Sequence, residues 1–271
     1  MGNEPEDKPP KVKLSSYQDR MQLVIEKSLQ DYLTFCDERA RSFLTSPPRM
    51  FELVKDVYSL IQEVWTGTLD AQPIPSFLNL NAYYSYLAAV RVAVSGHVSA
   101  IFPLVRAALE SACYAFLVTK DAALLTVWIN RDKSEKDRAA CRKVFTSAVK
   151  ETSTRLRSIQ VEMADYVRDL YEASITFGAH PNPLSVFHHL EVGQNEHSDH
   201  VKVAFTAVYS ETSFEVTRAL LACAEYGIAV AYLNFQSLDS HSHVEVLNRR
   251  FNEVNEFKNK MEDELRSGYS G

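Results

Sequence analysis

Apolar residues recur along this chain at helical spacing, separated by short polar breaks, and the pattern predicts helices almost throughout. Met21, Val24, Ile25, Leu29, Tyr32, Leu33 and Cys36 trace a first long helix, capped at Ser15 or Ser16 and reaching about Leu44. Ser46-Pro47-Pro48 ends it. Leu53, Val57, Leu60, Ile61 and Val64 make the stripe of a second helix over about Met50 to Trp65. After a breaker-rich loop from Thr66 to Pro75, a third helix is expected over about Phe77 to Ser95, with Gly96 marking its end or a tight bend.

The run from Val98 to Val118 is the most apolar stretch and carries two charges, Arg106 and Glu110. Spaced at i and i+4, they share one helix face. A charge inside a core must be paired, so the run predicts a central helix with an internal Arg106–Glu110 pair and a polar site beside it. Pro103 is tolerated if it falls in the first turn. These three residues also argue against a membrane span, so no membrane partner is expected.

Asp121 is placed to cap a short helix containing Trp128. The charged segment from Arg131 to Arg157 is amphipathic, with Val144, Phe145, Ala148 and Val149 on its apolar side. A helix over about Ser158 to Phe177 follows, with Gly178 as its C-cap. Ala179 to His200 reads as irregular. A long helix from about Lys202 to Leu233, apolar nearly all round after Val216, is expected to be central, and a charged helix over about Val244 to Leu265 closes the chain. No repeat of fixed period and no strand pattern stands out. The expected fold is all-α, a single bundle of about seven to nine helices over residues 15–267, behind a disordered polar tail at 1–14.

Composition narrows the function classes. A formal net charge of −6 argues against a general nucleic-acid coat protein. The basic residues between Arg131 and Arg157 could track a nucleic-acid backbone, but they are interleaved with acids and read more readily as a solvated helix face. The four cysteines, Cys36, Cys113, Cys141 and Cys223, form no C-x-x-C pair. Reduced thiols and a cytoplasmic setting are expected, with neither zinc nor disulfides. The polar start MGNEPEDKPPKVK lacks the apolar core of a signal peptide. No phosphate-binding glycine loop and no G-x-S-x-G occurs, so P-loop ATP hydrolysis and serine hydrolase chemistry have no support, and no cofactor is expected.

Three groupings carry candidate chemistry. The first is Tyr171-x-x-Ser174 leading into Gly178-Ala179-His180-Pro181. There His180 stands just past a helix C-terminus, where the dipole favours an imidazolium fit for acid–base work. The second is Arg106 with Glu110, an arrangement suited to binding a phosphate or carboxylate. The third gathers His188, His189, His197 and His200 with nearby carboxylates. Its His197-x-x-His200 spacing suits a metal, but without cysteine or an H-E-x-x-H motif it assigns none.

Taken together, Ser95-Gly96-His97, Leu104-x-Arg106-x-x-Leu109-Glu110, Tyr171-x-x-Ser174 and His180-Pro181 resemble an uncharacterised group of bacterial all-helical proteins. That group is related in general plan to the HEPN superfamily of helical bundles. The resemblance covers roughly Phe77 to Pro183. It implies a HEPN-like core and a setting in bacterial stress or phage defence. HEPN ribonucleases cleave RNA without metal at a dimer interface, using an arginine followed five to seven positions later by a histidine. Upstream of His180 those positions hold Ala173, Ser174 and Ile175, and Arg168 is too far away. The resemblance therefore implies a non-catalytic binding or regulatory bundle, with Arg106, Glu110, Tyr171, Ser174 and His180 at its site. Its expected partners are RNA, a nucleotide or a protein, and it is expected to be a homodimer. The alternative is a metal-independent HEPN-type ribonuclease, with Arg106 serving His180 or with Arg91 paired to His97. A metal-dependent enzyme built on the His188–His200 cluster is a third reading.

Overall fold

The computed structural model describes residues 28–66, 68–70, 72–179, 183, 187, 189–194, 201–238, 240–241 and 243–267. Capping chemistry sets many of the helix starts. The Ser28 hydroxyl accepts the Asp31 N–H at the head of α1 (Leu29–Thr45), so this helix is capped later than the expected Ser15 or Ser16, which lie outside the described residues; Pro47 and Pro48 separate it from α2 (Met50–Thr66). Two prolines open α3 (Pro73–Val94), four residues earlier than expected, because proline fits a first turn whose N–H groups have no partner in the helix. Gly96 then turns the chain at φ 86°. A Cβ there would also lie 2.3 Å from the Tyr209 carbonyl oxygen, so both backbone angle and space demand glycine.

A single 3-10 turn (Val98–Ala100) leads into α4 (Ile101–Lys120), which places Pro103 in the first turn where it breaks no bond. Asp121 accepts the N–H groups of Ala123 and Leu124 and so caps α5 (Ala122–Ile129), as its sequence position implies. The charged segment resolves into α6 (Glu135–Phe145) and α7 (Ala148–Leu156). Next comes α8 (Val161–Ser174), which widens into a π turn over Ile175–Ala179. Gly178 is extended there, at φ 168°, rather than the left-handed cap expected of it. What it supplies is close approach, since a Cβ would meet the Ser99 carbonyl at 2.9 Å.

The stretch read as irregular, and the start of the expected long helix, differ from the sequence-based reading. Leu190–Gln194 (β2) and Val201–Phe205 (β3) pair antiparallel, Leu190 opposite Phe205 and Gln194 opposite Val201. The helix α9 therefore starts later, at Phe214–Ser237, where the Ser213 hydroxyl accepts the Val216 N–H. A second small ribbon joins β1 (Thr68–Asp70) to β4 (Ser240–His241), and α10 (Val244–Ser267) closes the chain. With ten α-helices among the described residues and these two short ribbons, the fold is an all-α multi-helix bundle.

One continuous apolar core runs from Ala40 to Met261. At its centre α9 packs against α2, α3 and α4, which explains why it is apolar on nearly every face. Its Gly227 lets α9 approach Val57 of α2 and Tyr86 of α3. Two helical stretches, Val98–Lys120 and Phe214–Ser237, are long and apolar enough to cross a membrane, and most of each is buried inside the bundle. All four cysteines are buried and unpaired, and burial pushes the Cys113 and Cys223 thiols up to about 12, so they stay protonated.

Candidate functional site

Arg106, Glu110 and Tyr171 come together where α4 meets α8. The Arg106 Nε donates to Glu110 Oε1 at 2.9 Å and its Nη2 to the Tyr171 hydroxyl at 3.0 Å. The guanidinium carbon also lies 4.9 Å from the centre of the Tyr171 ring. The pair is half-buried, with 23% and 36% of the two side chains exposed, and so lies on the flank of the core rather than inside it. Burial pulls the Arg106 pKa down, but Glu110 and Tyr171 outweigh it and hold the charge. Ser174 is buried, and its hydroxyl is spent on the Tyr171 carbonyl at 2.6 Å. This constellation ties α4 to α8. His180, expected to complete it, lies outside the described residues, as do His188, His197 and His200.

Arg91 and His97 sit near one another at the end of α3, where the Arg91 charge acts on the imidazole. His97 is engaged on both nitrogens: the Tyr32 hydroxyl lies 2.5 Å from Nε2 and the Ser95 hydroxyl 3.1 Å from Nδ1. Burial pushes its pKa down; the Ser95 backbone contact opposes this and Arg91 adds to it, so the ring is neutral near pH 7. Arg91 faces solvent and pairs with Asp37 at 3.3 Å.

The larger feature lies elsewhere. A cavity of about 510 Å³ opens where the start of α4, the end of α8 and the first half of α9 converge, with Leu265 of α10 at its edge. Its walls are mainly apolar, built from Phe102, Leu170, Ala173, Phe177 and Ala222. The Phe102 and Phe177 rings lie 5.8 Å apart. The π turn after α8 carries Phe177 to this wall, and Gly178 lets it close against α4.

Few polar groups face the cavity, and three of them, Ser99, His189 and Tyr226, are spoken for. His189 is buried, with the Tyr209 hydroxyl 2.7 Å from its Nδ1 and the Ser99 hydroxyl against its Nε2. The Tyr226 hydroxyl donates to the Leu170 carbonyl. Glu225 differs. Burial pushes its carboxyl up to about 7; the Lys258 ammonium pulls it down and the Glu262 carboxylate adds to the rise. Lys258 is itself committed to Glu262 at 2.9 Å.

Among the described residues no group of three or more metal-ligating side chains occurs. No family of known proteins, curated protein or solved structure matches the chain.

Sequence reasoning passes over Glu225, although the signal is there. It is the one carboxylate in the apolar stretch from Leu220 to Phe235. The logic that singles out Arg106 and Glu110 on α4 applies equally to a lone acid on a helix expected to be central.

Proposed function

We propose that the chain is a non-catalytic helical binding protein whose ligand is an apolar or amphipathic small molecule seated in the cavity between α4, α8 and α9. One observation carries this reading. The cavity has the volume and apolar walls of a small-molecule site, with a few convergent polar groups and one carboxyl whose pKa is strongly displaced. Arg106, Glu110 and Tyr171 then act as the brace that holds α8, and with it Leu170 and Ala173, against α4.

The test is binding of Nile red, an uncharged dye whose emission rises in apolar surroundings. Wild type is expected to bind one equivalent. Ala222→Phe, which fills the cavity from α9, is expected to weaken binding by about 100-fold or more, a loss of about 3 kcal/mol. Ala173→Phe fills it from the opposite wall and is expected to do the same. Equal binding by wild type and both folded variants contradicts the proposal.

Metal-independent ribonuclease chemistry is the second reading. The observation in its favour is the nearness of Arg91 to a neutral His97 able to accept a proton. Against it, both nitrogens of that ring already have partners within the fold. Purified protein in EDTA is expected to leave total RNA intact. Cleavage that disappears in a folded His97→Ala or His180→Ala variant establishes the nuclease instead.

A further inference from the structure

The cavity wall is asymmetric in what it offers a polar ligand. Apart from the exposed Arg218, its built-in donors are used up: the Tyr226 hydroxyl on the Leu170 carbonyl, and the Ser99 hydroxyl on His189, whose other ring nitrogen faces Tyr209. A ligand anion would find no uncommitted donor among these. The described wall residues include one permanent cation, Arg218, which is exposed and stacked over Phe214 with its guanidinium carbon 5.6 Å from the ring centre.

Acceptors are in surplus. Glu215 and Glu225 both line the cavity, and among the described residues no hydrogen bond reaches the Glu225 carboxyl. The charged and titratable groups facing it come from α8 and α10 as well as α9. From α10, Lys258 is taken by Glu262 at 2.9 Å and lies over the Tyr166 ring. From α8, the buried Tyr166 hydroxyl has no partner among the described residues. An ionised Glu225 thus lacks a matched counter-charge from the protein, and a half-buried carboxylate is costly without one.

We propose that the ligand is a hydrophobic organic cation, an ammonium on an alkyl or aromatic body, with the Glu225 carboxylate as its counter-charge and the Phe102–Phe177 wall holding the body. This rests on the cavity being the functional site. The apolar walls accept any body of fitting size, so they supply affinity without choosing the headgroup. Glu225 supplies the choice, because a cation completes its pairing, an alcohol adds one hydrogen bond and a carboxylate meets like charge.

Calorimetric titration with octylammonium, 1-octanol and octanoate separates these cases. All three share one chain and differ in the headgroup. Octylammonium is expected to bind about ten-fold or more tighter than octanol at about pH 8, with octanoate weakest. The preference over octanol is expected to shrink toward about pH 6 as Glu225 takes up a proton, while octylammonium stays charged. In Glu225→Gln the ratio of the two affinities is expected to fall to about one at both pH values. That ratio is insensitive to a general weakening of the site. Octanol binding as tightly as octylammonium, or octanoate binding tightest, overturns the cation proposal and leaves the cavity reading standing. Failure of all three to bind removes the cavity reading and the cation proposal with it.

Discussion

Replacing Gly227 with alanine is expected to destabilise the protein by about 2 kcal/mol, although alanine is the better helix former. A Cβ at this position would lie 2.4 Å from a Val57 methyl and 2.8 Å from the Tyr86 ring. Neither neighbour has room to yield. Val57 is short and β-branched, Tyr86 is fully buried, and the two belong to different helices that both close on α9 at Gly227. The added methyl must therefore push α9 away from α2, α3 or both. Overpacking of this kind costs about 1–3 kcal/mol, and here the contacts put it at the upper end. The gain in helix propensity returns about 1 kcal/mol. Urea denaturation of wild type and Gly227→Ala at the same pH checks this. An unchanged midpoint would mean that α9 is not held closely between α2 and α3.

The second large effect concerns Glu225 and pH. Burial raises its carboxyl from 4.5 to about 7 in the folded state. Below the unfolded value both states hold the proton, and the group contributes nothing to the pH dependence. Between about 4.5 and about 7 the unfolded chain releases its proton first, so the folded state binds more protons and stability falls as pH rises. Above about 7 both states are ionised and the full cost of the buried carboxylate is present. A displacement of this size corresponds to something on the order of 3 kcal/mol. Glu225→Gln keeps the shape and removes the titration. Relative to wild type, the variant is therefore expected to gain stability as pH rises through that window, by up to about 3 kcal/mol at about pH 8. Denaturant midpoints for both proteins across the window read this directly. A constant difference at every pH would show that Glu225 is well solvated or well paired. The same cost makes the ligand argument physical, since a cation that pairs with Glu225 relieves it.

Much of the helical plan can be read from the residues themselves. Asp121, Gly96 and Pro103 each stand where the chemistry of a cap, a bend or a first turn needs them, and the structure uses them so. The β2–β3 ribbon was hidden for an identifiable reason. Val201-Lys-Val-Ala-Phe205 is short, and it runs on toward a strongly apolar helix, so its period is easily merged with the helical one. The later start of α9 depends on a serine cap among several possible serines and threonines from Ser210 to Thr217.

The site was less legible than the fold. A cavity is a property of how four helices meet, and no single helix carries its signature. Arg106 and Glu110 drew attention as charges in an apolar run, and they prove to be a half-buried brace bound to Tyr171. Glu225 is the same kind of signal with the opposite outcome, since no side chain on its own helix pairs with it. What separates the two cases is the neighbouring helix. Tyr171 of α8 is positioned to complete Arg106, whereas Lys258 of α10 is already bound to Glu262.

The central claim is that the cavity between α4, α8 and α9 binds a small apolar or amphipathic molecule. Calorimetric titration of octylammonium into wild type and Ala222→Phe at two temperatures tests it most directly. The expected result is one equivalent bound by wild type with a negative heat-capacity change, the mark of apolar surface leaving water, and no measurable binding by the folded variant. Binding that is identical in the two proteins would place the ligand outside the cavity and contradict the claim.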